Sequence, residues 1–234
     1  MSDDLHQFLA KARGSAVAAR VVRLDELRLG HDPAAETSSW GLAAMRGRLV
    51  ELSARGATAT LTTATELVLE AQLASEPVGW VVPWSLDPKT STFYPPDVAD
   101  TGIDLAALVV VRAPSMVAAA RAAERLLRSG AFGLIVLDFA SVDLETHRAS
   151  RLPDQVLGRL VTLAQAHDAA VVCLTDKPPD AGSLGSLVSL RTEAMRLRGA
   201  PADGGFEVTL RTLKDKRRGP GWSRRSKVRG PAGL

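Results

Sequence analysis

The sequence predicts an α/β protein: a mostly parallel central sheet flanked by helices, with a helix and strand before it and a basic tail after it. Three observations carry this expectation. Short apolar runs alternate with segments of helical periodicity, the order that lays strands side by side and packs helices on the two sheet faces. The runs "FGLIVLDFA" and "AAVVCLTD" are apolar without alternation, as strands covered on both faces are. The last two strand-like segments, "LVSLRTEAMRLR" and "FEVTLRTLKDK", follow one another without a helical pattern between them and read as a terminal antiparallel pair.

Within residues 3–18, Leu5, Phe8, Leu9 and Ala12 fall at i, i+3, i+4 and i+7, one apolar face of a helix. "ARVVRLDEL" follows as a strand, so residues 1–30 are read as a docking element with Leu5, Phe8 and Leu9 facing either a partner protein or a second copy of this chain. "HDPAAETSSWGLAAMRG" has loop composition. "RLVELS" is a short buried strand, residues 62–75 are helical by pattern, and "VGWVVPW" and "DLAALVVVRA" are strands. Residues 115–129 form an alanine-rich helix, "FGLIVLDFA" a central strand, residues 157–167 a helix and "AAVVCLTD" another buried strand. The core is expected over residues 31–220 and the tail over residues 221–234; no internal repeat is visible.

With 234 residues, 46% hydrophobic and 24% charged, the chain is long and apolar enough to bury a substantial core. Its single cysteine, Cys173, excludes a disulfide framework and fits a reducing compartment. The opening residues lack the apolar run of a secretory signal, and no stretch of about 18 apolar residues is present. A cytoplasmic, soluble protein is expected. The net charge of +3 hides an asymmetry: residues 207–234 hold nine basic and two acidic residues, a balance of +7 that leaves −4 for the rest. Such an end either faces a polyanion or is a solvated extension.

The stretch "ELSARGATATLTTATELVLEAQ" runs from an apolar strand through a loop into a helix, where a nucleotide-binding protein keeps a glycine- and lysine-rich phosphate loop. Here the loop has neither the paired glycines nor the lysine. The longer segment "GRLVELSARGATATLTTATELVLEAQ" resembles the RecA recombinase core, and the resemblance continues through "WVVPWSLDP", "LLRSGAFGLIVLDFASV" and "VTLRTLKDKRRGP", about residues 47–220. It implies that the two motif glycines fall on Ala54 and Ala59, the lysine on Thr60 and the magnesium-binding hydroxyl on Leu61, all replaced. Gly56 alone keeps some flexibility. The catalytic glutamate falls near Pro83, the magnesium-orienting acid on Asp138, and a lysine-x-lysine pair on Lys214 and Lys216. Asp138 without partners for magnesium is read as a structural acid that caps or holds a loop.

A RecA-like chain with its nucleotide chemistry replaced resembles the ImuA family, accessory proteins of bacterial translesion mutagenesis. That resemblance implies a role in the DNA-damage (SOS) response beside RecA, the ImuB protein and an error-prone polymerase. It implies no enzymatic activity and no cofactor, and a place in the cytoplasm at the nucleoid. The two loops that carry single-stranded DNA in the recombinase correspond to "ASVDLETHRASRLPD" and "KPPDAGSLG"; the second holds only Lys177 as a cation, which argues against a recombinase-type filament. Two other readings are a cell-division inhibitor of the SulA type and a residual ATPase with an unorthodox loop.

Direct DNA contact is assigned to the basic end, through Lys214, Lys216, Arg217, Arg218, Arg224, Arg225, Lys227 and Arg229, with Trp222 as a base-stacking candidate or, alternatively, an anchor folded onto the core. Trp80 reads as core. His6, His31, His147 and His167 lack a second ligand at metal spacing, and no GxSxG elbow is present, so no metal or nucleophile site is expected.

Overall fold

The computed structural model describes residues 40–56, 58–83, 95–142, 152–197 and 205–229. Leu5, Phe8 and Leu9, with the expected N-terminal helix and strand, lie outside the described residues, as does most of the first of the two loops matched to the recombinase. The strands are β1 (Arg48–Ser53), β2 (Val78–Pro83), β3 (Leu108–Ala113), β4 (Leu134–Phe139), β5 (Ala170–Thr175), β6 (Leu190–Arg196), β7 (Gly205–Asp215) and β8 (Ser223–Arg229). They form one sheet in the order β3-β2-β4-β5-β1-β6-β7-β8. The first six of that order are parallel; β7 pairs antiparallel with β6, and β8 antiparallel with β7.

The helices follow from local sequence. α1 (Leu42–Met45) is one turn inside the segment whose composition suggests only loop; it forms because Leu42 and Met45 are both drawn into the core. α2 (Thr60–Leu73) starts two residues before the expected boundary, since the Thr63 amide and hydroxyl both bond the Ala59 carbonyl. α3 (Pro95–Ala99) is a short turn. α4 (Met116–Arg128) is capped by the Ser115 hydroxyl, which accepts from the Ala118 amide at 3.2 Å, and it carries Arg125 and Arg128 at its dipole-negative end. α5 (Asp154–Ala166) begins three residues before its apolar pattern, behind Pro153 and with Asp154 in its first turn.

The sheet is covered on two faces. One core packs α2 and Trp80 against Val50, Leu52, Val136 and Leu174, and extends under β7 to Phe206, Val208 and Leu210. The other packs α4 and α5 against Leu49, Ile135, Leu137, Val171 and Cys173. Burial pushes the Cys173 thiol up, so it is an inert small core residue. β2 runs close beneath α4 at Gly79, where a Cβ would lie 2.8 Å from Ile135 Cδ1 and 3.0 Å from Leu126 Cδ1.

The basic end is not a tail. β8 completes the sheet, and Trp222 just before it is buried, its ring centroid 6.3 Å from that of Trp40 with the planes at 54°. The Trp222 carbonyl accepts the Thr212 amide at 3.0 Å, which fixes the strand entry. The core therefore runs past residue 220, and Trp222 is an anchor with no face open for base stacking. Side chains alternate along β8: Arg224, Ser226 and Val228 are half-buried, while Arg225 and Lys227 are exposed. A strand made mostly of cations has no apolar alternation, which is why "SRRSKVR" does not read as one.

Trp222→Ala should cost about 3 to 5 kcal/mol, as other large-to-small core changes do. Truncation after Pro220, which removes Trp222 and all of β8, should cost at least as much. Urea denaturation checks both; an unchanged midpoint for the truncated chain would show that β8 is dispensable.

Candidate functional site

The loop between β1 and α2 lies at the carboxyl ends of the parallel strands, where α/β sheets place their ligands. Its backbone is stitched into the sheet. The Ala54 amide donates to the Thr175 carbonyl at 3.3 Å, the Ala59 amide to the Ala194 carbonyl at 3.0 Å, and Thr58 makes an antiparallel bridge with Met195. The Thr60 amide donates to Thr58 Oγ1 at 3.2 Å. Amides that would turn onto a phosphate are engaged within the protein. Ala54, Ala59 and Thr60 are buried, and Leu61 packs partly against the core. Gly56 keeps a left-handed backbone, φ 82°, with open space where a Cβ would stand. Arg55 pairs with Asp176 at 3.5 Å on the surface, an interaction that stabilises little.

Asp138 is buried on the face of β4 shared with Leu134 and Val136, toward α2, and its Oδ1 accepts the Ala140 amide at 3.3 Å. It thus holds the turn after β4, as a structural acid does. Pro83 ends β2, at the position matched to the catalytic glutamate.

On the opposite sheet face, a second constellation centres on Glu51, a fully buried charge in the middle of β1. Its Oε1 accepts from Lys177 Nζ at 2.5 Å and Thr175 Oγ1 at 3.0 Å, and its Oε2 from the Leu184 amide at 2.8 Å. Lys177 also donates to the Gly182 carbonyl at 2.8 Å. Burial pulls the Lys177 ammonium below its usual value, and Glu51 opposes that pull. Arg191 donates to Ser53 Oγ at 3.1 Å, to the Pro178 carbonyl at 2.8 Å and to the Ala181 carbonyl. Lys214 reaches Ser183 Oγ at 3.3 Å and Lys216 the Ser186 carbonyl at 2.6 Å. The β5–β6 loop, residues 176–189, is therefore pinned by several cations, of which Lys214 and Lys216 are among the sequence-assigned DNA residues. Burial, and then the nearby Lys216 charge, also lower Lys214.

A third element is the β7–β8 turn. Asp215 at the end of β7 pairs with Arg48 at the start of β1, 2.6 Å apart and both nearly inaccessible. The Asp215 Oδ1 also accepts the Arg217 amide at 2.9 Å, and Arg48 donates to Ser189 Oγ and O, each at 2.9 Å. Burial acts to raise the Asp215 carboxyl, but bonds from the Arg217 amide and Arg48 outweigh it and hold the carboxyl below its ordinary value. This turn presents Lys216, Arg217 and Arg218 to solvent. Arg224 lies on the α2 side, near enough to Glu66 to oppose the burial that raises that carboxyl. Sequence reasoning passes over Arg48, Glu51 and Asp215; for Arg48 and Glu51 the signal is a charge inside the apolar strand "RLVELS", which must find a partner, whereas Asp215 stands among cations and carries no such signal.

No family model and no curated protein matches the chain. Among solved structures it is similar to the RadB recombinase, at 15% identity and a TM-score of 0.57, over 77% of this chain and 87% of that one. With its strand order and helix placement, the chain has a RecA-like recombinase fold. Among the described residues, no helix is long and apolar enough to cross a membrane.

Lys177→Ala leaves Glu51 buried and unpaired and should cost about 3 to 5 kcal/mol in denaturation, whereas joint replacement of Glu51 and Lys177 by methionine should cost far less. The depressed Asp215 carboxyl gives stability that is fully present above its unfolded value of 3.8 and is lost as pH falls through the lower folded value. Asp215→Asn should remove that part of the acid destabilisation, seen as a flatter melting temperature on acidification.

Proposed function

We propose that this chain is a non-catalytic RecA-like adaptor of the bacterial DNA-damage response, of the ImuA kind, that supports error-prone translesion synthesis through protein partners. The observation that carries the reading is the β1–α2 loop. At the place where a phosphate loop needs free amides, a lysine and a hydroxyl, this chain has Ala54, Ala59, Thr60 and Leu61, and the amides of Ala54, Ala59 and Thr60 are engaged by the sheet and by Thr58. With Pro83 at the matched glutamate position and Asp138 bonded to the Ala140 amide, neither nucleotide binding nor water activation has its groups.

A partner-binding role is supported by the β3 edge of the sheet. Val109 and Val110 are 43% and 38% exposed there, Leu105 stands just before them, and among the described residues β3 pairs only with β2. An apolar, sparsely charged edge strand is a template for strand addition. RecA and the ImuB–polymerase assembly are the proposed partners, with residues 1–25 as a second docking element, in the cytoplasm at the nucleoid. Self-association through the same edge is the simplest competing outcome.

Mg-ATP should leave the melting temperature unchanged. A ligand at 100 times its dissociation constant would stabilise by about 2.7 kcal/mol, an easily seen shift. A rise with Mg-ATP that Asp138→Asn abolishes would restore a working nucleotide site. Val110→Lys should weaken co-purification with RecA or ImuB without lowering the melting temperature; retention of both partners by Val110→Lys and by a chain lacking residues 1–25 would remove these surfaces from the proposal.

A further inference from the structure

Residues 216–229 hold seven cations and no acid, and the fold makes them a rigid hairpin. Its turn is clamped from below: the buried Asp215 carboxylate takes Arg48 and the Arg217 amide, and the Gly219 amide bonds the Asp215 carbonyl at 3.0 Å. Its far strand is fastened by Trp222 in the core and by pairing with β7 along its length. The cations are therefore presented by an ordered scaffold, with little left to order on binding.

Their engagement separates them. Lys214 and Lys216 hold the β5–β6 loop through Ser183 and Ser186, and Arg224 turns toward α2. Arg217 gives one guanidinium bond to the Arg46 carbonyl at 3.2 Å and keeps its other donors, and Arg218 is exposed beside it. Arg225 and Lys227 are both exposed on the same face of β8, two residues and so about 6.8 Å apart. Across the strand pair Arg225 faces the neutral Thr209, and Lys227 faces Glu207.

We propose that the β7–β8 hairpin is a nucleic-acid interface that contacts the phosphate backbone through Arg217 and Arg218 at its turn and Arg225 and Lys227 along its edge strand. This deepens the adaptor reading by naming the surface that reaches DNA. Contacts to the phosphate backbone carry no sequence information, so the proposed binding is sequence-independent. Guanidiniums supply three of the four contacts, the group best matched to phosphate oxygens.

The test is fluorescence anisotropy of the purified full-length chain, without partners, on labelled single- and double-stranded oligonucleotides over a salt series. Four phosphate contacts give a slope of log Kobs against log salt of about −2.8 on single strands and about −3.6 on duplex. Replacing all four residues by alanine should abolish binding with the melting temperature unchanged, and Arg225→Ala with Lys227→Ala alone should remove about half of the slope. Trp222→Ala, measured below its lowered melting temperature, should leave the slope intact. No binding by the wild-type chain at low salt, a folded double or quadruple variant with the wild-type slope, or equal binding to polyglutamate, which would mark an acidic-protein surface, each overturns the proposal. Because no partner is present, such a failure stands apart from failure of the adaptor reading, which is read from nucleotide response and RecA or ImuB retention.

Discussion

Two buried charges on β1 must be neutralised inside the protein, and much of the site-bearing half of the fold is arranged around that requirement. β1 lies between β5 and β6, beside the junction of the parallel strands with the antiparallel pair. Arg48 at its start and Glu51 three residues on are almost fully removed from water. A lone charge there would cost several kcal/mol. Arg48 is met by Asp215 from the end of β7, and Glu51 by Lys177 from the loop after β5, with the Thr175 hydroxyl and the Leu184 amide adding two further hydrogen bonds to its carboxylate. Each partner arrives from a different element, so a β7 one residue out of register, or a β5–β6 loop of another shape, leaves a charge stranded. The pairs select an arrangement more than they add net stability, because desolvation offsets most of their attraction.

The same pairing decides which cations are available for function. In the loop after β5 the carbonyls of Pro178, Ala181, Gly182 and Ser186 all accept from basic side chains. A loop held this way does not rearrange readily onto a ligand, and Lys177, Lys214 and Lys216 are committed to holding it. Of the cations beyond Asp215, Arg217 and Arg218 in the turn and Arg225 and Lys227 on β8 stand in water. The basic end thus divides into a structural part, Lys214 and Lys216, and a part open to a partner.

The β1–α2 loop shows a related economy of backbone groups. A loop that cradles an anion leaves its amides unpaired until the anion arrives. Here the Ala59 amide and the Thr58 bridge are given to β6, and alanine side chains occupy space close to the sheet. Small apolar residues in place of glycine and lysine allow that closure, since nothing charged must be kept solvated. The sheet's two edges differ in the same way: β8 is guarded by Arg225 and Lys227, while β3 exposes Val109 and Val110.

The parallel strands and the long helices were legible in the chain because hydrophobic burial is written as periodicity. "RLVELS", "FGLIVLDFA" and "AAVVCLTD" are apolar runs with no polar face, and residues 115–129 repeat their alanines and leucines at helical spacing. β8 was hidden, because its exposed alternate positions include cations and its half-buried alternates include Arg224 and Ser226, so that pairing with β7 and the Trp222–Trp40 contact, not local pattern, make it a strand. Which cations face water was equally beyond the sequence: Lys214 and Lys216 look like Arg217 and Arg218 until a loop thirty residues away accepts their hydrogen bonds. Periodicity is a property of neighbours along the chain, whereas the pairing of a charge is settled by whichever element the fold brings beside it.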